Sequence, residues 1–143
     1  MNIENAKRAI AVLQRVCKLP EGLFDMGNWV EDICWTATKG LVYPKTEQEA
    51  VSCGTPACFA GWLALAPDIP ELYVTAGGTV IDQYGNDGFH AIASFLDLDA
   101  LDAAQLCGVT HYLPGPKRVF SGSARPEEVI EAIEYLISRG SQQ

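Results

Sequence analysis

A chain of 143 residues, 48% hydrophobic and 20% charged, has the length of one globular domain and enough apolar side chain to form a core without disulfide or metal staples. Its 18 acidic against 10 basic residues leave a formal charge of −8, which argues against nucleic acid as a partner, because phosphate is met by clustered Lys and Arg. The five cysteines, Cys17, Cys34, Cys53, Cys58 and Cys107, are odd in number and scattered among apolar neighbours. That pattern excludes a secreted disulfide scaffold and predicts free thiols in a reducing, cytoplasmic setting.

The opening MNIENAKRAIAVLQRV interrupts its apolar residues with charges and predicts no signal peptide. The longest apolar run, CFAGWLALAP, has about ten residues, against roughly 20 needed to cross a bilayer, so no membrane span is expected.

In chain order, residues 3–18 predict an amphipathic helix with Ala6, Ile10, Leu13 and Cys17 along its apolar stripe. Leu19-Pro20 and Gly22 end it, since a residue before proline avoids helical angles. Segment 23–43 predicts one further helix, with Trp29, Ile33 and Thr36 on one side. Thr46-Glu47-Gln48-Glu49 fits a capping box before a short helical turn.

In Cys53-Gly54-Thr55-Pro56-Ala57-Cys58, Thr55 is a good N-cap and Pro56 suits a first helical position, so Cys58 is expected third in a helix that runs to Pro67. Phe59 to Leu65 is apolar all round, which predicts a buried central helix. Ala57, Ala60, Gly61 and Ala64 give it a small-residue face. Leu72–Thr75 and Thr79–Ile81 flank Ala76-Gly77-Gly78 and predict a β-hairpin; Tyr84–Gly88 is turn chemistry. Helices follow over 89–96 and 99–107, with Asp97 or Asp99 as cap and Gly108 as stop. After a turn at Pro116–Phe120, Pro126 opens the last helix, Val129, Ile130, Ile133, Leu136 and Ile137 give it a core face, and Gly140 closes it. The expected fold is mainly α (α+β): a single domain over 1–143, with about six short helices around a buried central one and one small β-hairpin.

FDMGNW at 24–29 and CGTPACFAGW at 53–62 resemble a group of uncharacterised small bacterial and phage-encoded proteins that share an FDM-x-x-W and a CGT-x-x-C-x-A-G-W element. In that group a helical stretch with a Leu-Gly-Leu type turn and a later Leu-Phe element follow. Their counterparts here would be HAIASFLDLD with AAQLCGV, and KRVF. The hairpin-like segment 72–82 is an insertion relative to the usual spacing. The resemblance implies a phage or mobile-element origin; the group has no established activity to carry over.

Two catalytic or metal readings arise from the residues. A cysteine in the first turn of a helix gains thiolate character from free N–H groups and the helix dipole, so Cys58 is a candidate nucleophile. His90 would be its base and Asp97 or Asp99 the group orienting that base, in the chain order of transglutaminase-like enzymes. Papain-like and transglutaminase-like enzymes also start a buried helix at their cysteine, but the transglutaminase-like histidine sits on a strand, whereas Phe89-His90-Ala91-Ile92 reads as a helix start. The opposing reading makes Cys58 a small apolar core residue. Cys53, Cys58, Cys107 and His111 number enough for zinc, but the four-residue gap in Cys53-x4-Cys58 is not paired with a second such element, and no metal is expected.

Asp97-x-Asp99-x2-Asp102 lacks the glycine and terminal glutamate of a calcium loop and fits helix capping better. Gly77-Gly78 and Gly85-x2-Gly88 lead to no Lys-Ser/Thr phosphate loop. Trp29, Trp35 and Trp62 are expected in the core, and Tyr84 and Tyr112, in loops, are candidate contact residues. The preferred function is therefore non-catalytic: an acidic intracellular module of phage type that binds another protein with a basic face, needing no cofactor, nucleic acid or membrane. An inhibitor of a host protein fits that description. The alternative is a cysteine hydrolase or acyl-transferase using Cys58, His90 and Asp97.

Overall fold

The computed structural model describes residues 1–20, 22–26, 34–36, 40–42, 44–53, 56–75, 78–107 and 124–141. Over these the chain forms helix α1 (Ile3–Val16), strands β1 (Cys34–Thr36) and β2 (Gly40–Val42), helices α2 (Glu47–Cys53) and α3 (Phe59–Leu65), and strands β3 (Leu72–Val74) and β4 (Val80–Asp82). Helices α4 (Phe89–Leu96), α5 (Ala100–Leu106) and α6 (Pro126–Ser141) complete it. The fold is mainly α, as expected, with the expected hairpin β3–β4 and a second one, β1–β2.

Helix α3 is the centre. All seven of its residues are buried, as a helix apolar on every side requires. Gly61, Ala60 and Ala64 keep its surface low, and α1 packs against it with Ala6 and Ala9 fully buried in its own face. Helix α1 in turn packs on α6, whose Val129 and Ile133 are fully buried, and α4 packs on α5. One continuous apolar cluster runs through α1, α3, β3, β4, α4, α5 and α6.

The start of α3 differs from expectation. The helix begins at Phe59, with Cys58 in extended conformation as its N-cap and no side-chain cap hydrogen bond, rather than at Pro56. Ala57 is the reason. Its N–H donates to the Leu23 carbonyl (3.0 Å) and its carbonyl accepts from the Asp25 N–H (2.9 Å), a parallel bridge that holds Ala57 extended. The first helical bond therefore comes later, from the Trp62 N–H to the Cys58 carbonyl (2.9 Å). Thr55 lies outside the described residues. The Leu23 carbonyl also accepts from the Trp62 indole Nε1–H at 2.9 Å, in a buried setting. One peptide oxygen thus ties the 23–26 segment to both the entry and the body of the central helix.

Where segment 23–43 is described beyond residue 26, it forms strands rather than the expected helix. Cys34–Thr36 and Gly40–Val42 pair as an antiparallel hairpin, in the register Cys34↔Val42, Trp35↔Leu41 and Thr36↔Gly40. Trp35, Thr36 and Val42 are residues that favour a pleated strand, which accounts for the pairing at these positions. Trp29 and Ile33 themselves lie outside the described residues.

The other expectations vary in detail. Helix α1 buries Ala6, Ala9, Val12, Leu13 and Val16, whereas Ile10 and Cys17 are half-buried, so the buried arc is rotated from the single row read in the sequence. Thr46 Oγ1 accepts from the Glu49 N–H at 3.1 Å, making the predicted cap of α2. The Asp99 carboxylate accepts from the Asp102 N–H at 2.8 Å and caps α5, while Asp97 ends α4 in the left-handed region (φ 52°). Helix α6 continues through Gly140 to Ser141 instead of stopping at the glycine. Gly108 and the Pro116–Phe120 turn lie outside the described residues. Among the described residues no helix is long and apolar enough to cross a membrane.

The indole hook on Leu23 yields the first prediction. Trp62→Phe keeps most of the ring but deletes the buried N–H, so it should cost about 1–3 kcal/mol through the lost hydrogen bond and the gap left behind. Chemical denaturation reads this directly; an unchanged midpoint would show that the hook contributes nothing.

Candidate binding site at the Tyr84 turn

Hairpin β3–β4 pairs Leu72↔Asp82, Tyr73↔Ile81 and Val74↔Val80, with Leu72, Val74, Val80 and Asp82 facing inward. Asp82 is the exception in this row. It is a carboxylate only 4% exposed, at a position where the other inward side chains are apolar. Burial of a charge is costly unless hydrogen bonds replace water. They do here. Asp82 Oδ1 accepts from the Tyr84 N–H and the Asn86 N–H, both at 2.9 Å, and Oδ2 accepts from Asn86 Nδ2 at 2.9 Å.

The backbone closes the same turn. The Asp82 N–H donates to the Asn86 carbonyl (3.0 Å), and the Gly85 N–H donates to the Asp82 carbonyl (3.2 Å). Gly85 stands at φ +87°, a region that costs other residues strain. Burial pushes the Asp82 carboxyl upward, but the donors from Asn86, Tyr84 and Ser94 outweigh it and hold the group below the usual carboxylate range. The turn is therefore a rigid scaffold wound on one buried anion, and at its tip it carries Tyr84, 77% exposed.

Beside Tyr84 opens a cleft of about 270 Å³, bounded by Asn5 of α1, Glu71 just before β3, the Asp82–Tyr84 turn, and Ser94 and Phe95 of α4. The Arg8 guanidinium forks onto Glu71, with Nη2 at 2.8 Å from Oε1, donates to the Asp68 carbonyl (2.8 Å), and lies 5.5 Å from the centre of the Phe95 ring. This pairing holds the Glu71 carboxyl below its ordinary range and matches its charge with Arg8, so Asp82 leaves the walls of the cleft with one net negative charge. Asn5 Nδ2 donates to the Phe95 carbonyl at 2.8 Å and joins α1 to α4 behind it.

The residues proposed from sequence for catalysis are not arranged as a relay. Cys58 is 2% exposed in the core at the foot of α3. Burial drives its thiol up to about 11; the N–H groups of Gly61 and Ala60 pull it partly back, and the nearby Asp25 carboxylate pushes it further up. That is the opposite of the electropositive, accessible setting of a reactive cysteine. His90 is exposed on the first turn of α4, its ring 4.2 Å from that of Phe89. Asp97 sits at the far end of the same helix, seven residues and roughly 10 Å along the axis, too far to orient the imidazole. Its carboxylate, 85% exposed, lies 4.0 Å from the terminal ammonium of Met1.

Among the described residues, no group of three or more His, Cys, Asp or Glu side chains is placed to hold a metal. Tyr112 and His111 lie outside the described residues. Asp99 and Asp102, read as a calcium-like pattern, are the N-cap of α5 and the ion-pair partner of Arg139 (2.7 Å).

Asp82, Glu71 and Phe95 were not singled out from the sequence. Asp82 left a legible trace: an acid two residues before Tyr84 and four before Asn86 is the spacing of an Asx-type turn. Glu71 and Phe95 left none, because only the reach of α1 to both, through Arg8 and Asn5, brings them together. No family model, curated protein or solved structure matches the chain.

Two outcomes follow from these environments. The Cys58 thiol should react with iodoacetamide only at the rate at which the protein opens, and His90→Ala should leave that rate unchanged; fast labelling slowed by loss of His90 would restore the nucleophile. For Asp82, a folded carboxyl held below its ordinary value of 3.8 stabilises the protein above that value and loses its contribution as pH falls through the lower, folded one. Asp82→Ala should therefore destabilise at neutral pH by about 1–3 kcal/mol and flatten the acid limb of the stability curve below about pH 4. An unaltered acid limb would contradict this.

Proposed function

We propose that the chain is a non-catalytic protein-binding module whose partner presents a basic face. The observation that carries this reading is how the charges are distributed. All four described arginines are committed to the chain's own acids: Arg8 to Glu71, Arg15 to Glu47 and Asp68, Arg125 to Glu127, and Arg139 to Asp102. Among the described residues Lys7, Lys18 and Lys45 are also exposed, but the acids outnumber them, with Glu4, Asp87, Glu131 and Glu134 exposed as well. A net charge of −8 on so small a surface steers a basic partner toward it and repels acidic ones. The closed setting of Cys58 gives the cysteine-enzyme alternative no comparable support. The phage-protein resemblance suggests the setting, in which such a module inhibits a host protein by covering its basic face.

Electrostatic recognition has a signature in salt. The screening length shrinks from about 10 Å at 0.1 M to about 3 Å at 1 M, so a charge-steered complex weakens over that range. The immobilised chain should retain a basic protein from a lysate of its native cell at low salt and release it as salt rises. The purified partner should then bind the purified chain with the same salt dependence. Retention of nothing, or of proteins indifferent to salt and without a basic face, would overturn the reading.

A further inference from the structure

We propose that the cleft beside the Tyr84 turn is the point of contact, and that it takes one arginine side chain from an exposed segment of the basic partner. This inference rests on the protein-binding reading above and gives that reading a site. Three observations converge on it.

The first is preorganisation. An exposed aromatic on a mobile loop loses much of its binding energy to ordering, whereas Tyr84 stands on a turn already fixed by the buried Asp82 and by the positive φ of Gly85. A rigid, amphipathic tyrosine is the side chain that anchors protein contacts at low entropic cost. The second is size. A cleft of about 270 Å³ has room for a single long side chain.

The third is chemistry. Arg8 already shows which group these walls hold, since its guanidinium rests near the Phe95 ring and forks onto Glu71. A carboxylate offers about four acceptor positions, and Arg8 occupies two of those on Glu71, which is one-third exposed toward solvent. Asp82 has its acceptors committed to the turn and adds charge rather than a hydrogen bond. The exposed Tyr84 ring supplies the aromatic face against which a second guanidinium can stack. Lysine lacks both the planar stacking surface and the fork, so arginine is the better occupant.

Other places in the molecule fit less well. The groove between α5 and α6 encloses only about 80 Å³ and is bridged by the Arg139–Asp102 pair. The thiols of Cys58 and Cys107 are closed within the core.

The test uses the isotope-labelled full chain, titrated at low salt with capped arginine-containing, lysine-containing and glutamate-containing pentapeptides, and followed by backbone amide shifts. The arginine peptide should perturb Glu71–Leu72, Gln83–Asn86 and Ser94–Phe95, and bind more tightly than the lysine peptide; the glutamate peptide should not bind. Tyr84→Ala should weaken the arginine peptide about two- to thirtyfold, in line with loss of one cation–aromatic contact, while Tyr84→Phe retains it. The Tyr84 side chain is exposed, so both variants should fold with unchanged melting temperature. Perturbations centred on the acidic face of α6, or affinity indifferent to Tyr84→Ala, would overturn the cleft while leaving charge-driven binding intact. No perturbation by the arginine peptide would also overturn the cleft, and the salt-dependent capture then decides independently whether the binding reading falls with it.

Discussion

The carbonyl oxygen of Leu23 accepts two hydrogen bonds, from the Ala57 N–H and from the Trp62 indole, and the rest of the fold depends on that double use. A buried peptide oxygen is costly when unpaired and specific when both of its lone pairs are filled. Here it locks an otherwise irregular segment against the buried helix on which α1, α2, β3 and β4 pack. Leu23 and Met26 are buried as a result, and Ala57 is held extended so that the helix starts at Phe59 rather than earlier. The same junction brings residues 23–25 onto the entry of α3: Phe24 and Asp25 lie against Ala57, and Trp62 reaches back to Leu23.

From that junction the structure leads outward to the site. Helix α3 packs on β3 and β4, and the hairpin they form ends in the Asp82 turn. The apolar inner row of the hairpin fixes its register, which places Asp82 inside and therefore fixes where Tyr84 emerges. The polar fork between Arg8 and Glu71 joins α1 to the start of β3 and forms the opposite wall of the cleft. Partly exposed ion pairs of this kind contribute little stability, so their role here is better described as shaping and charging a surface.

How much of this was readable in the sequence depends on the range of the interaction. Local chemistry was legible: the cap made by Thr46, the Asp99 cap, the β3–β4 hairpin and the α4 boundaries all follow from residues close in sequence. The apolar run of α3 also announced its burial. The structure departs from local expectation where a distant partner decides. Pro56 and Thr55 promised a helix start, but pairing with Leu23 and Asp25, more than thirty residues away, claimed Ala57 for a bridge. The spacing of Trp29, Ile33 and Thr36 suggested a helix where Trp35 and Leu41 pair across a hairpin. Cys58 looked activated because a first-turn cysteine feels the dipole, yet full burial beside Asp25 reverses the effect. Tyr84 was legible as a contact residue, whereas the cleft beside it needs α1, β3 and α4 at once.

Native-state hydrogen exchange tests the central claim most directly, because it resolves which groups are held until the whole molecule opens. If the Leu23 junction organises the fold, the Trp62 indole N–H and the backbone N–H groups of Asp25 and Ala57 should exchange only through global unfolding, as slowly as the amides of Leu13 and Val16 in α1. Exchange of the indole and the bridge amides well ahead of those α1 amides would show that the 23–26 segment opens on its own, and that the central helix stands without it.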